Sequence, residues 1–118
     1  MKTLKGSLRI LSRNKELAFL GLAAKAGKIV SGEFATEKGV KSGQIFLVLT
    51  AQDASENTKK KFNDMCTYYE VPLYNVGTKE ELGNAIGKDY RASLGVTDEN
   101  FALAMIKKLE KMRSEERR

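Results

Sequence analysis

The sequence predicts an α/β fold, a three-layer α/β/α sandwich in which helices cover both faces of a four-stranded mixed sheet. Two observations carry that expectation. Short β-prone apolar runs alternate along the whole chain with segments of helical periodicity. One of the runs, Ile45-Phe46-Leu47-Val48-Leu49, is continuously apolar, as a strand covered on both faces has to be. With 118 residues, 42% of them hydrophobic, a single domain can bury such a core without disulfides or metal.

Asn14 to Ala26 reads as the first helix, with Leu17, Leu20, Gly21 and Ala24 at helical spacing and Gly27 as its stop. Lys28 to Ser31 is a short strand. Ser31 is the expected N-cap of a second helix that runs to about Lys41, with Glu33 and Glu37 in its first half and Lys38 and Lys41 near its end, as the helix dipole favours. Ser42-Gly43 ends it, and residues 45–49 form the central strand. A third helix from about Ser55 to Tyr69 places Phe62, Met65, Cys66 and Tyr69 on one face and Lys59, Lys60 and Lys61 largely on the other, and Val71-Pro72 breaks it. Leu73 to Val76 is a further strand. Thr78-Lys79-Glu80-Glu81 has the form of a capping box, opening a helix that stops before Gly87. The loop GKDYRA leads to a strand near Ser93 to Thr97. Asp98 caps a last helix whose inward residues are Phe101, Ala102, Met105, Leu109 and Met112. The expected organisation is a basic extension over 1–13, one domain over 14–112 and a fraying tail over 113–118.

The net charge of +6 invites an anionic partner, because cationic surfaces gain affinity by releasing counterions from phosphates. The excess sits at the ends: residues 1–13 and 106–118 together carry +7, and the middle carries −1. Within the middle, Lys25, Lys28, Lys38, Lys41 and the 59–61 lysines come early, whereas Glu70, Glu80, Glu81, Asp89, Asp98 and Glu99 come late. One side of the domain is therefore expected to be basic. No apolar run approaches the roughly 18 to 20 residues of a membrane span, and the basic N-terminus lacks the apolar core and cleavage site of a secretory signal. A lone cysteine agrees with a reducing compartment, so a cytoplasmic location is expected.

Catalysis is poorly provided for. The chain has no histidine, the commonest general base and metal ligand. Cys66 lies on an apolar stripe, which reads as a buried structural thiol. Capping and dipole effects account for Glu80 and Glu81 at a helix start. No enzyme activity, metal, cofactor or small-molecule substrate is expected.

The stretch AGKIVSGEFATEKGVKSG, residues 26–43, gathers glycines and lysines around a strand-to-helix junction. A nucleotide-hydrolysing phosphate loop needs serine or threonine after its Gly-Lys, and Lys28 is followed by Ile29. What remains is a helix start at Gly32 to Phe34 whose N–H groups have no intrahelical partner, flanked by Lys28 and Lys38, a seat for phosphate or a nucleic-acid backbone. The alternative is that Lys28, Lys38 and Lys41 simply solvate one helix.

The motifs GLAAKAGKIVSGE, DASENTKKK, CTYYEVP, LGNAIGKD and VTDENFA follow in order over roughly residues 14–105. In this set the chain resembles the kink-turn RNA-binding ribosomal-protein superfamily, which includes archaeal L-seven-Ae and L-thirty-e, and most of all its bacterial YlxQ-like members. The resemblance implies the same three-layer fold and an RNA partner, kink-turned or otherwise structured, on or off the ribosome. It also implies two RNA-facing segments. The first is a Gly-x-Asn-Glu-x-x-Lys pattern at the start of the second helix, here Gly32 to Lys38. Gly32 is implied to admit the RNA backbone, and Lys38 to reach guanine acceptors or phosphate.

Phe34 stands where the family has Asn, and Ala35 where it has Glu or Gln, so two groups that bond the sheared guanines are missing. At about 1–3 kcal/mol per good base contact, the loss is on the order of several kcal/mol. Glu33 is either a partial substitute or a dipole-favoured first-turn residue. Gln52 and Asp53 match an acidic turn that buttresses the RNA-facing helix in the family, or else begin the third helix's capping turn. The second segment is the loop after LGNAIG, where Lys88, Asp89, Tyr90 and Arg91 occupy positions that cover splayed-out bases. There Tyr90 is implied to stack and Arg91 to pair with phosphate, the alternative being a solvated loop. Two rivals stand beside this reading: a protein-interaction module on the same fold, to which an exposed Phe34 is suited, and the substrate-recognition part of an RNA-modifying enzyme.

Overall fold

The structure, a computed structural model, describes residues 15–116. The expected N-terminal extension, Asn14 and the last two residues of the expected tail lie outside them. Among the described residues, helix α1 covers 15–25 and is followed by β1 (Ile29–Ser31), α2 (Glu33–Lys41), β2 (Leu47–Thr50), α3 (Glu56–Tyr69), β3 (Leu73–Asn75), α4 (Lys79–Ala85), β4 (Ser93–Val96) and α5 (Glu99–Glu116). The alternation expected from the sequence is the alternation found.

The strands form one sheet in the order β1-β4-β2-β3. β2 and β3 are parallel, while β4 runs antiparallel to both β1 and β2, so the sheet is mixed. Both faces are covered. Leu47, Leu49, Leu94 and Val96 point to one side, into a core closed by Leu20 of α1, Leu82 of α4 and Ala102, Met105 and Leu109 of α5. Val48 points to the other, against Val40 of α2 and Phe62 and Cys66 of α3. All four residues of β2 and of β4 are buried, which is why these strands read as unbroken apolar or small-residue runs. Burial pushes the Cys66 thiol up to about 11, and the residue serves as core.

Local signals explain most helix ends. Ser55 Oγ accepts from the Thr58 N–H at 3.1 Å, and Asp98 Oδ1 accepts from the Phe101 N–H at 2.9 Å. The capping box at Thr78 and Glu81 forms in full. Two expectations are corrected. The central strand begins at Leu47, because the Ile45 side chain turns into a notch between α2 and β4 where side chains on Gly39 or Gly95 would collide with it. Ser31 ends β1 and the N-cap of α2 is Gly32. The last helix extends past Met112 as far as Glu116.

Candidate nucleic-acid interface

Strand direction decides which loops meet. Because β1, β2 and β3 run one way and β4 the other, the C-terminal ends of the first three and the start of β4 lie at one edge of the sheet. That edge collects the β1–α2 junction, the turn 51–55, the start of α4 and the loop 86–92. Backbone bonds stitch it together: the Gly32 N–H donates to the Ser93 carbonyl at 3.0 Å, the Ala51 N–H to the Ala92 carbonyl at 2.9 Å, and the Gln52 N–H to the Gly77 carbonyl at 2.7 Å. Gly32, Glu33, Phe34, Ala35, Gln52, Asp53, Lys88, Asp89, Tyr90 and Arg91 are thereby brought to one rim.

At this rim α2 begins on glycine with φ 94° and ψ 158°, a conformation close to glycine-only, and a Cβ on Gly32 would face open space. No side chain caps the helix. The first-turn N–H groups of residues 33–35 therefore point outward, at the positive end of the helix dipole. Phe34 beside them is 81% exposed. Lys38, one turn further on, is exposed and reaches no carboxylate among the described residues.

The second segment is held by α4. The Lys88 N–H donates to the Gly83 carbonyl at 2.8 Å, and the loop folds back so closely that a Cβ on Gly83 would sit inside the Asp89 carbonyl. This seats Lys88, Asp89 and Tyr90 as exposed residues, Tyr90 at 67%. Arg91 is half-buried. Its Nε donates to Ser31 Oγ at 3.2 Å and its Nη1 to the Tyr90 carbonyl at 2.8 Å, which joins this loop to the β1–α2 junction.

Other expected members fall elsewhere or act differently. Lys28 is separated from Gly32 by the length of β1, about 13 Å at the usual strand rise, and it faces Asp98 at 3.9 Å on the opposite edge of the sheet. It does not flank the α2 start. Lys41 lies about 12 Å down the helix from Glu33 and is bound to Glu37 at 2.8 Å. Glu33 faces Lys61 at 3.4 Å, and Lys61 also reaches Glu37 at 2.5 Å. Bonds from Lys41 and then Lys61 hold the Glu37 carboxyl down to about 2. Lys59 and Lys60 face Glu56 and Asp64, so the lysine triplet is locally offset and the expected basic side is a mixed-charge surface instead. Asp53 Oδ1 accepts from the Lys79 N–H at 2.8 Å. It caps α4, and neither α2 nor α3, because the β2–α3 turn is stacked against the start of α4.

Ser31 and Gly83 are the members that the sequence did not single out. An isolated glycine inside the α4 pattern is a legible hint of close approach. Nothing near Ser31 announces an arginine 60 positions away.

Residues 15–106 match the Ribosomal protein L7Ae/L30e/S12e/Gadd45 family. The chain belongs to this family. Membership agrees with the resemblance that the ordered motifs carry, down to its bacterial branch. Over 91 residues the chain is 45% identical to the RNA-binding protein YlxQ of Bacillus subtilis, covering 77% of this chain and 91% of that one. It is 41% identical over 91 residues to the RNA-binding protein YlxQ of Enterococcus faecium, covering 77% and 87%. Among solved structures, a protein of unknown function from Bacillus halodurans superposes with a TM-score of 0.79 at 41% identity, over 81% of this chain and 97% of that one. The 15.5 kDa RNA-binding protein of Giardia lamblia superposes with a TM-score of 0.71 over 85% and 89%, and at 22% identity it shows the shared fold alone. Among the described residues, no helix is long and apolar enough to cross a membrane.

Proposed function

We propose that this member of the family is a non-catalytic, cytoplasmic RNA-binding protein that grips a sharply bent RNA, kink-turned or ribosomal, at the rim formed by the α2 start and the loop 86–92. One observation carries the reading: the α2 N-terminus is left uncapped on an open glycine, beside the exposed Lys38, Lys88 and Tyr90. Its N–H groups receive phosphate oxygens, Gly32 admits the backbone that carries them, and Lys38 and Lys88 add charge. Tyr90 offers a face to an unstacked base. With Phe34 and Ala35 in place of hydrogen-bonding side chains, affinity comes from phosphate contacts and shape more than from base edges. Glu33 lies on this rim paired with Lys61 across to α3, while Lys41, further down α2 and bound to Glu37, stands away from it. The names of the YlxQ relatives support an RNA partner.

The test is a titration of a kink-turn RNA against the same RNA with its sheared G·A pairs replaced by Watson–Crick pairs. Tighter binding of the kinked RNA is expected, falling steeply from about 50 to about 200 mM salt, and Lys38→Ala weakens it. Equal affinity for both RNAs would leave only non-specific attraction. A second reading, a protein-docking module, is favoured by one feature: Phe34 and the shallow hollow it lines with Glu37, Lys38, Lys41 and Ser42. An apolar protein contact there would persist at high salt, where RNA binding fails.

A further inference from the structure

Arg91 is half-buried, and two of its three guanidinium nitrogens are spent on the protein itself. Nε reaches Ser31 Oγ and Nη1 the Tyr90 carbonyl, while the Arg91 backbone N–H donates to the Lys79 carbonyl at 3.0 Å. Lys79 in turn donates to Asp53, so one residue connects the end of β1, the loop 86–92 and the sealed start of α4. Among the described residues it faces no carboxylate, and its acceptors are a hydroxyl and a carbonyl. A planar fork with divergent donors satisfies both at once, which a lysine ammonium on a flexible stem does not do.

We propose that Arg91 is a positioning residue for RNA binding. It does not pair with phosphate. It locks the loop 86–92 against the β1–α2 junction, so that the Tyr90 ring and the open start of α2 form one preorganised mouth. This inference rests on the RNA-binding reading above. Its physical content is that two surfaces held in register before binding lose less freedom on binding.

The experiment uses the full chain and a kink-turn RNA, with affinity measured across a salt series for the wild type, Arg91→Lys, Arg91→Gln, Ser31→Ala, the Arg91→Lys/Ser31→Ala double variant and Lys38→Ala, and with amide exchange followed on each free protein. Arg91→Lys keeps the charge and loses the fork. It is expected to weaken binding about five- to tenfold, the equivalent of one ordinary net hydrogen bond, with the salt slope unchanged. Ser31→Ala is expected to weaken binding in the same direction without touching any charge, and the double variant to be no worse than Arg91→Lys alone, because both remove one contact. Amide exchange at residues 88–91 is expected to quicken in both variants while β2 stays protected. Lys38→Ala makes the salt slope shallower by about 0.7 to 0.9, as the loss of a phosphate contact should.

The proposal is overturned if Arg91→Lys binds and exchanges like the wild type, or if Ser31→Ala is silent while Arg91→Gln flattens the salt slope as much as Lys38→Ala. Either result makes Arg91 a phosphate ligand or a bystander and leaves the RNA-binding reading intact. Failure of that reading has a different signature, since the wild type itself would not prefer the kinked RNA.

Discussion

Two helices begin at the same edge of the sheet, and their first turns are finished in opposite ways. α4 is sealed: Thr78 Oγ1 accepts from the Glu81 N–H at 3.1 Å, Glu81 Oε1 accepts from the Thr78 N–H at 2.9 Å, and Asp53 Oδ1 takes the Lys79 N–H. α2 is open, with a glycine at its N-cap and no side-chain acceptor. Glycine is a tolerable N-cap, only a few tenths of a kcal/mol poorer than a capping side chain, so α2 stays open at little cost in stability. The edge does not impose this difference, since both helices leave it in the same way. Residue choice imposes it: glycine at position 32 removes the side-chain cap and frees the approach.

Substitution is expected to cost most on the sealed side. Gly83→Ala drives a methyl group into the Asp89 carbonyl, which is backbone and cannot swing away, so urea unfolding should show a loss of about 3 kcal/mol or more, in the range of overpacked interior sites. On the open side, Gly32→Val forces a β-branched residue to adopt a glycine conformation and should lose about 1–3 kcal/mol of stability, together with the RNA affinity assigned to the α2 start. Thr78→Ala sharpens the contrast, because the loss of a cap of about 1 kcal/mol should lower the urea midpoint while leaving RNA affinity nearly unchanged. If Thr78→Ala and Gly32→Val lowered affinity equally, the two helix starts would not differ in role.

The smallest effect concerns the ion pairs between α2 and α3. Hydrogen bonds from Lys41 and then Lys61 depress the Glu37 carboxyl from its ordinary 4.5 to about 2. A carboxylate with a depressed folded value stabilises fully above its unfolded value, and that contribution is lost as pH falls from about 4.5 through about 2. At pH 7 the pairs are intact, and being exposed they contribute little. Following the Glu37 carboxyl resonance through an acid titration checks this: the midpoint should lie near the depressed value and climb toward 4.5 in Lys41→Met. A wild-type midpoint near 4.5 would mean that the pairs do not form in solution.

The fold and the candidate rim were legible to different depths. Ser55, Thr78 with Glu81, and Asp98 each act on an N–H within three residues, so the sequence shows both partners together. The inward residues of α5 recur with the helix period, and all of Phe101, Ala102, Met105, Leu109 and Met112 join the core. Lys28 misled because four positions along a strand span more space than four along a helix. Ser31 misled because serine before a helical run is a good N-cap, and only the position of Arg91 shows that its hydroxyl is already engaged.

Local signals in the chain set the order of helices and strands, the buried central strand and most of the caps, though not the glycine cap of α2, where Ser31 is the expected N-cap. These rest on periodicity and on bonds that close within one turn, where chain connectivity holds the partners together. The tertiary structure alone decided that Asp53 seals α4, that Lys28 is carried to the far edge, that the lysine triplet meets carboxylates and that Arg91 ties two loops together. Those partners are set by which strands lie side by side and in which direction, and packing of the core settles that between residues far apart along the chain.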